Sequence, residues 1–235
     1  MSEKENEELS LIRQVLEFLT SPRTFFSSKL EKPSLLKAAA LILVIAIIAA
    51  WASYNYMGKL PLTQMAERLD SNEFPTMGPP SGLVNSEQLR QASMIVSAIT
   101  GLTSIFGGWL ISSILLHSFS KAQGGGGAFR SMLELTGYAS IPLLIQHSLR
   151  LVDSFSVSQE EVHQLVGRLQ ISADPFLNAT ANAAIDILSV FRIWSIVLLV
   201  VAVSVNYKTS TCKSTVTAII TYALMIFLSA FLPIA

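Results

Sequence analysis

Charge is scarce in this chain: 14% of its 235 residues are Asp, Glu, Lys or Arg, against about 25% in an ordinary soluble domain. Three stretches, Ala38–Gly58, Gln91–Ser120 and Ser214–Ala235, hold none of the four. A soluble fold is thereby excluded for most of the length. There is one cysteine, Cys212, so no intrachain disulfide can form. Cys212 reads as a small residue near a helix end. Three histidines, none at a short two-histidine spacing, are few for a zinc site. His-Glu-x-x-His and Gly-x-Ser-x-Gly are absent, and no carboxylate pair suits an intramembrane aspartyl protease. The chain therefore reads as a non-enzyme that calls for no metal or other cofactor. Its zero net charge argues against a nucleic-acid partner. The polar first 34 residues lack the apolar core and cleavage site of a signal peptide, so the N-terminus is expected to be retained.

What is present is apolar length. A helix rises about 1.5 Å per residue, so about 20 apolar residues cross the hydrocarbon core. Five stretches meet or approach that length, and they are continuous rather than alternating, which points to helices and away from a barrel. The expected fold is all-α, a polytopic membrane helix bundle of five transmembrane helices, with an N-terminal interfacial helix and short extracytoplasmic helices. The spans fall at about 36–57, 92–119, 129–150, 184–206 and 213–233, within one membrane domain over 35–235. A disordered acidic tail, 1–9, and an amphipathic segment, 10–34, come first. With the N-terminus inside, ten basic residues lie on inner segments and five on outer ones, Arg192 being left within a span. The short connections at Lys121–Arg130 and Lys208–Lys213 carry only basic charge. This favours a multi-pass protein of the cell membrane with a cytoplasmic N-terminus and an extracytoplasmic C-terminus.

In the amphipathic segment, Leu11, Ile12, Val15, Leu16 and Leu19 keep helical spacing, and Pro22 should end or bend the helix. Phe25, Phe26 and Leu30 follow among Arg23, Lys29 and Lys32. Such a segment either lies in the cytoplasmic interface or packs under the bundle. Its removal with the rest of residues 1–34 is expected to leave the five spans folded, since they satisfy their own backbone groups. In the first outer connection, short helices are expected near Met65–Leu69 and Ser86–Gln91. The second span is rich in Gly, Ser and Thr, as a central packing helix would be. Gly124–Gly127 reads as a flexible turn; without Gly-Lys-Ser/Thr or a preceding strand, phosphate binding is the lesser reading. Pro142 should kink the third span. Ser158-Gln-Glu-Glu161 reads as a capping box opening a helix to about Gln170. The sequon at Asn178 reads as incidental.

Charges at bilayer depth are costly and are functional candidates by default. Six residues qualify: His117, Glu134, His147, Arg150, Asp186 and Arg192. Helical spacing suggests two polar layers, His117 with Glu134 inside, and His147, Arg150, Asp186 and Arg192 outside. Ion pairs that fix helix register are the favoured reading; an ion or proton path and a metal site are the alternatives. Glu134 and His147 lie about 20 Å apart along a helix, so they cannot share one ion.

Several elements together resemble the Yip1 domain family of five-span membrane proteins. These are Pro22-Arg-Thr-Phe-Phe26, Lys32-Pro-Ser-Leu-Leu-Lys37, Gly127-Ala-Phe-Arg130, Leu133-Glu-Leu-Thr-Gly-Tyr-Ala-Ser-Ile-Pro-Leu-Leu144 and Asp186-Ile-Leu-Ser-Val-Phe-Arg-Ile-Trp194. The similarity covers most of residues 20–235, and its most specific parts are Gly137-Tyr-Ala-x-x-Pro142 and the region of Trp194. It implies a cytoplasmic N-terminus, five helices and no catalytic residues. Eukaryotic members associate with small GTPases in vesicle traffic; the short N-terminus and long outer loops here look more like prokaryotic members. The function expected is a non-enzymatic scaffold or adaptor in membrane organisation, with a transporter of ions, metals or small molecules as the alternative. Its partners would be the lipid bilayer and proteins at the cytoplasmic face, with homo-oligomerisation left open.

Overall fold

The computed structural model describes residues 16–31, 33–60, 86–162, 164, 181–182, 185–186 and 188–229. Among them, the main helices are α1 Pro22–Glu31, α2 Leu35–Gly58, α3 Ser86–Ala122, α4 Phe129–Ala139, α5 Ile141–Ser156, α6 Val190–Tyr207 and α7 Thr211–Ser229, and there is no strand. The fold is all-α. Among the described residues, four helices are long and apolar enough to cross a bilayer: Leu35–Gly58, Glu87–Ala122, Val190–Tyr207 and Thr211–Leu228. The acidic tail 1–9, the helix near 65–69, the end of the helix from 158, the sequon at 178 and the start of the fourth span at 184 lie outside the described residues.

Two boundaries differ from those expected. First, the separate short helix near Ser86 is continuous with the second span, because no Gly or Pro interrupts the chain before Gly101. Second, the third span is two helices of 11 and 16 residues. The break falls at Ser140, two residues ahead of Pro142, whose missing N–H and ring bulk disrupt the preceding turn. Further along the chain, α6 is capped by the Ser189 hydroxyl, which accepts the Arg192 N–H at 3.3 Å.

Two compact units divide the described residues. The first draws on Met1–Ile42, Trp109–Pro142 and Leu188–Met225, and the second on Leu43–Gly108, Leu143–Ile187 and Ile226–Ala235.

The core of the first unit is built where α1, α4 and α6 pack together. Residues 16–20 are helical, Ser21 breaks the run, and Pro22 opens α1, where its missing N–H costs nothing. Phe25 and Phe26 turn inward, Phe26 completely buried. The Phe25 ring meets Phe18 edge-on at 5.2 Å and Tyr138 at 5.8 Å, and Phe18 reaches Trp194 at 6.3 Å. Of the two readings open for this segment, packing against the bundle is the one observed. Small residues set how closely α2 and α4 approach: a Cβ on Gly137 would lie 2.9 Å from that of Ala38. Two hydrogen bonds fix α4 further, Trp109 Nε1 donating to the Leu133 carbonyl at 3.0 Å and Ser195 Oγ to that of Ala139 at 2.9 Å.

The second unit has a smaller apolar cluster, Leu60 and Val162 with Tyr56, Met57 and Val157 around them. Its helix from residue 159 opens with the expected capping box. Ser158 N–H and Oγ donate to Glu161 Oε2 at 2.7 and 2.8 Å, and Glu161 N–H returns to Ser158 Oγ at 3.2 Å. The Ser158 backbone bond, then its hydroxyl, hold the Glu161 carboxyl below its usual range.

Candidate functional site

Glu134 is buried in α4, 1% exposed. Its Oε1 accepts the backbone N–H of Ser34 at 2.8 Å. The Ser34 carbonyl in turn accepts from the N–H groups of Lys37 and Ala38, so Ser34 caps the first turn of α2. The carboxylate thus sits at the positive end of a 24-residue helix and satisfies a backbone donor there. Lys29 lies beside it, with Nζ 4.9 Å from the centre of the Phe25 ring and 5.3 Å from that of Tyr138. Burial, and after it the charge of Lys37, lower the Lys29 pKa, while the charges of Glu134 and Glu17 act the other way.

His117 does not pair with Glu134. Its Nδ1 meets the Tyr207 hydroxyl at 2.6 Å, and its ring packs edge-on against Phe129 at 5.4 Å. The inner pair suggested by spacing is therefore two separate devices, one fastening the α1–α2 link to α4 and one fastening α3 to α6. Arg192 lies in the first turn of α6, in this same unit.

The glycine run joins this cluster as a packed turn. Gly124 has φ +85°, a conformation costly for other residues. The N–H groups of Gly124, Gly125 and Gly126 go to the carbonyls of Lys121, Ser120 and Tyr207. Those three donors are spent inside the protein, which removes the phosphate-cradle reading. Asn206 Nδ2 clasps the far side through the Ala128 carbonyl at 3.2 Å. A Cβ on Gly127 would fall 2.5 Å from the Asn206 carbonyl oxygen, whereas one on Gly126 meets nothing within 4 Å. Gly127→Ala is expected to cost about 1–3 kcal/mol, as overpacking does, and Gly126→Ala next to nothing. Thermal unfolding of the two variants side by side checks the contrast.

In the second unit, Asp186 Oδ1 accepts from Arg150 at 3.1 Å and from Gln146 Nε2 at 3.3 Å. Asp186 lies ahead of α6 in the chain, and residues 185–186 are themselves helical. His147 is buried in α5, less than one turn from Arg150. Sequence spacing missed the neighbouring contacts: the Tyr56 hydroxyl donates to Asp153 Oδ2, Lys59 Nζ to the Val157 carbonyl, and Asn55 Nδ2 to Ser154 Oγ at 3.1 Å. The Arg150 side chain is 52% exposed and that of Asp186 25%, so screening and solvation weaken their pair. Arg150→Gln is expected to cost at most about 1 kcal/mol in detergent unfolding.

Among the described residues, no three His, Cys, Asp or Glu gather where a metal ion could bind. The polar groups bond to a helix start and to side chains of other elements, as Glu134, His117 and Arg150 do.

Comparison with known proteins agrees with this architecture. An uncharacterised protein of Methanocaldococcus jannaschii is 24% identical over 159 residues, covering 65% of this chain and 98% of its own. No solved structure matches the chain. The Yip1 domain matches residues 16–232, from the helical turn before α1 to beyond α7, and the chain belongs to the Yip1 domain family.

Proposed function

We propose that this protein is a non-enzymatic scaffold of the cell membrane. Its N-terminus faces the cytoplasm and its C-terminus the opposite side. The consecutive helices α4 and α5 would supply the fifth crossing: their 11 and 16 residues hold about 40 Å of helix length in all, against a hydrocarbon core of about 30 Å.

The observation that carries the scaffold reading is how the buried polar groups are used. Glu134 closes the start of α2, and His117 joins Tyr207. A conducting path needs such groups free to exchange ions or protons; here they fasten elements together. A second observation supports the orientation. The described basic residues of the inner segments, Arg23, Lys29, Lys37, Lys121, Arg130, Lys208 and Lys213, all belong to the first unit. Most are exposed, and among the described acids that unit holds only Glu17, Glu31 and Glu134. Positive charge concentrated this way is what cytoplasmic membrane faces carry. The partners that suit it are proteins docking on that face, a second copy of the chain included.

Two measurements test the proposal. Single cysteines at 62–80 and 156–172, introduced after Cys212→Ser, should react with an impermeant reagent from outside, and cysteines at 122–128 should not. The reverse pattern overturns the orientation. Photo-crosslinkers at Lys121 and Arg130 in native membranes should capture a defined protein partner. Robust ion flux in liposomes, abolished by Glu134→Gln at unchanged stability, overturns the scaffold reading.

A further inference from the structure

Two adjoining cavities lie within the first unit, between α1 and the α6–α7 connection. One, of about 270 Å³, is lined by Pro22, Val200 and Val201 together with Ser21, Thr24 and Thr211. The other, of about 290 Å³, is lined by Ser27, Val205, Lys208 and Thr209. They share Arg23 and Ser204, so they form one groove with an apolar half and a polar, basic half. Arg23 and Lys208 are exposed, and neither makes an ion pair with any described residue. No acidic side chain lines either cavity.

We propose that this groove seats one anionic phospholipid. The phosphate would lie between Arg23 and Lys208, in the polar half of the groove. The start of an acyl chain would lie along Pro22, Val200 and Val201. A soluble anion would satisfy the basic half alone. The apolar half beside it, and its place next to α6 and the start of α7, two helices long and apolar enough to cross a bilayer, favour a lipid over free phosphate. The ammonium of Lys208 also stands on an unusual backbone: Lys208 has φ +54°, where glycine is the cheapest residue. Lys208→Gly therefore removes the charge while easing the backbone.

The test is lipid binding by the purified full-length protein in neutral detergent, followed by native mass spectrometry and by thermal stabilisation. Phosphatidylglycerol is compared with phosphatidylcholine, and each with inorganic phosphate. The wild type should retain and be stabilised by phosphatidylglycerol in preference to phosphatidylcholine, and phosphate should not reproduce the effect. Arg23→Gln combined with Lys208→Gly should lose about tenfold or more in apparent affinity for the anionic lipid. Lys121→Gln with Arg130→Gln removes the same charge elsewhere and should not. Equal binding of the two lipids, an effect matched by phosphate, or selectivity that survives in the Arg23–Lys208 variant would each overturn the proposal. A photoactivatable phosphatidylglycerol gives a readout on the unmutated protein: it should label residues 21–27 and 200–211, and labelling spread evenly over the helices overturns the site.

Discussion

Phe26→Ala is expected to destabilise the protein by about 3–5 kcal/mol, the usual loss when a fully buried phenylalanine is truncated. Phe26 has no exposed surface, and it sits in α1 against a core made by α4 and α6. Its removal leaves a void where Phe25, Met132 and Leu198 converge on one cluster, and the ridge of α6 cannot collapse into it without losing its own contacts. Leu36→Ala is the control: Leu36 is 80% exposed, and its loss should fall within about 0.5 kcal/mol. Unfolding of purified protein in mixed detergent–lipid micelles, monitored by circular dichroism, separates the two. The same packing reverses the expectation for truncation. Deleting residues 1–34 strips Phe18, Phe25 and Phe26 from the core, so the shortened protein should be poorly folded, whatever its spans do alone. A loss below about 1 kcal/mol for Phe26→Ala would return α1 to the role of a helix lying freely in the lipid interface.

The long spans were legible because the signal is local. Uncharged runs such as Ala38–Gly58 and Gln91–Ser120 state their environment directly, and α2 and α3 follow. Proline also announced a break in the third span, though the disruption spreads to Ser140, one residue ahead of the Ile141–Ser156 helix. The capping box at Ser158 was legible for the same reason, since both partners lie within four residues. What depended on distant contacts was not. Glycines 124–127 announce freedom of the backbone, but nothing in the run says that Asn206 and Tyr207 lie against it. Hence a packed turn was read as a flexible one. Trp194 stood out as distinctive, yet its neighbour Phe18 comes from a segment 176 positions earlier in the chain. The charged candidates show the limit most plainly. Spacing along helices placed His117 near Glu134 in depth but could not supply rotation or the competing partners, a tyrosine hydroxyl for one and a backbone N–H for the other.

That backbone N–H makes Glu134 the second position of large expected effect. Glu134→Ala should cost about 2–4 kcal/mol, because it removes a buried hydrogen bond, strands the Ser34 donor and empties buried volume. Ser34 lies 100 residues earlier in the chain, so the bond fastens the entry to α2 onto α4. Losing it should loosen both α1 and the first turn of α2. Glu134→Gln is the informative partner variant. Its amide oxygen can still accept from Ser34, and its size is nearly unchanged, so a capping role predicts a loss below about 1 kcal/mol. Hydrogen exchange at the amides of Ser34, Leu35 and Leu36, measured by mass spectrometry, reads the cap itself. It should quicken strongly in Glu134→Ala and little in Glu134→Gln. A residue needed for its ionisable proton would invert this order in function, with Glu134→Gln inactive while the protein stays folded. Equal exchange at residues 34–36 in the wild type and Glu134→Ala would show that the carboxylate does not hold the start of α2, and the scaffold reading would lose the observation on which it stands.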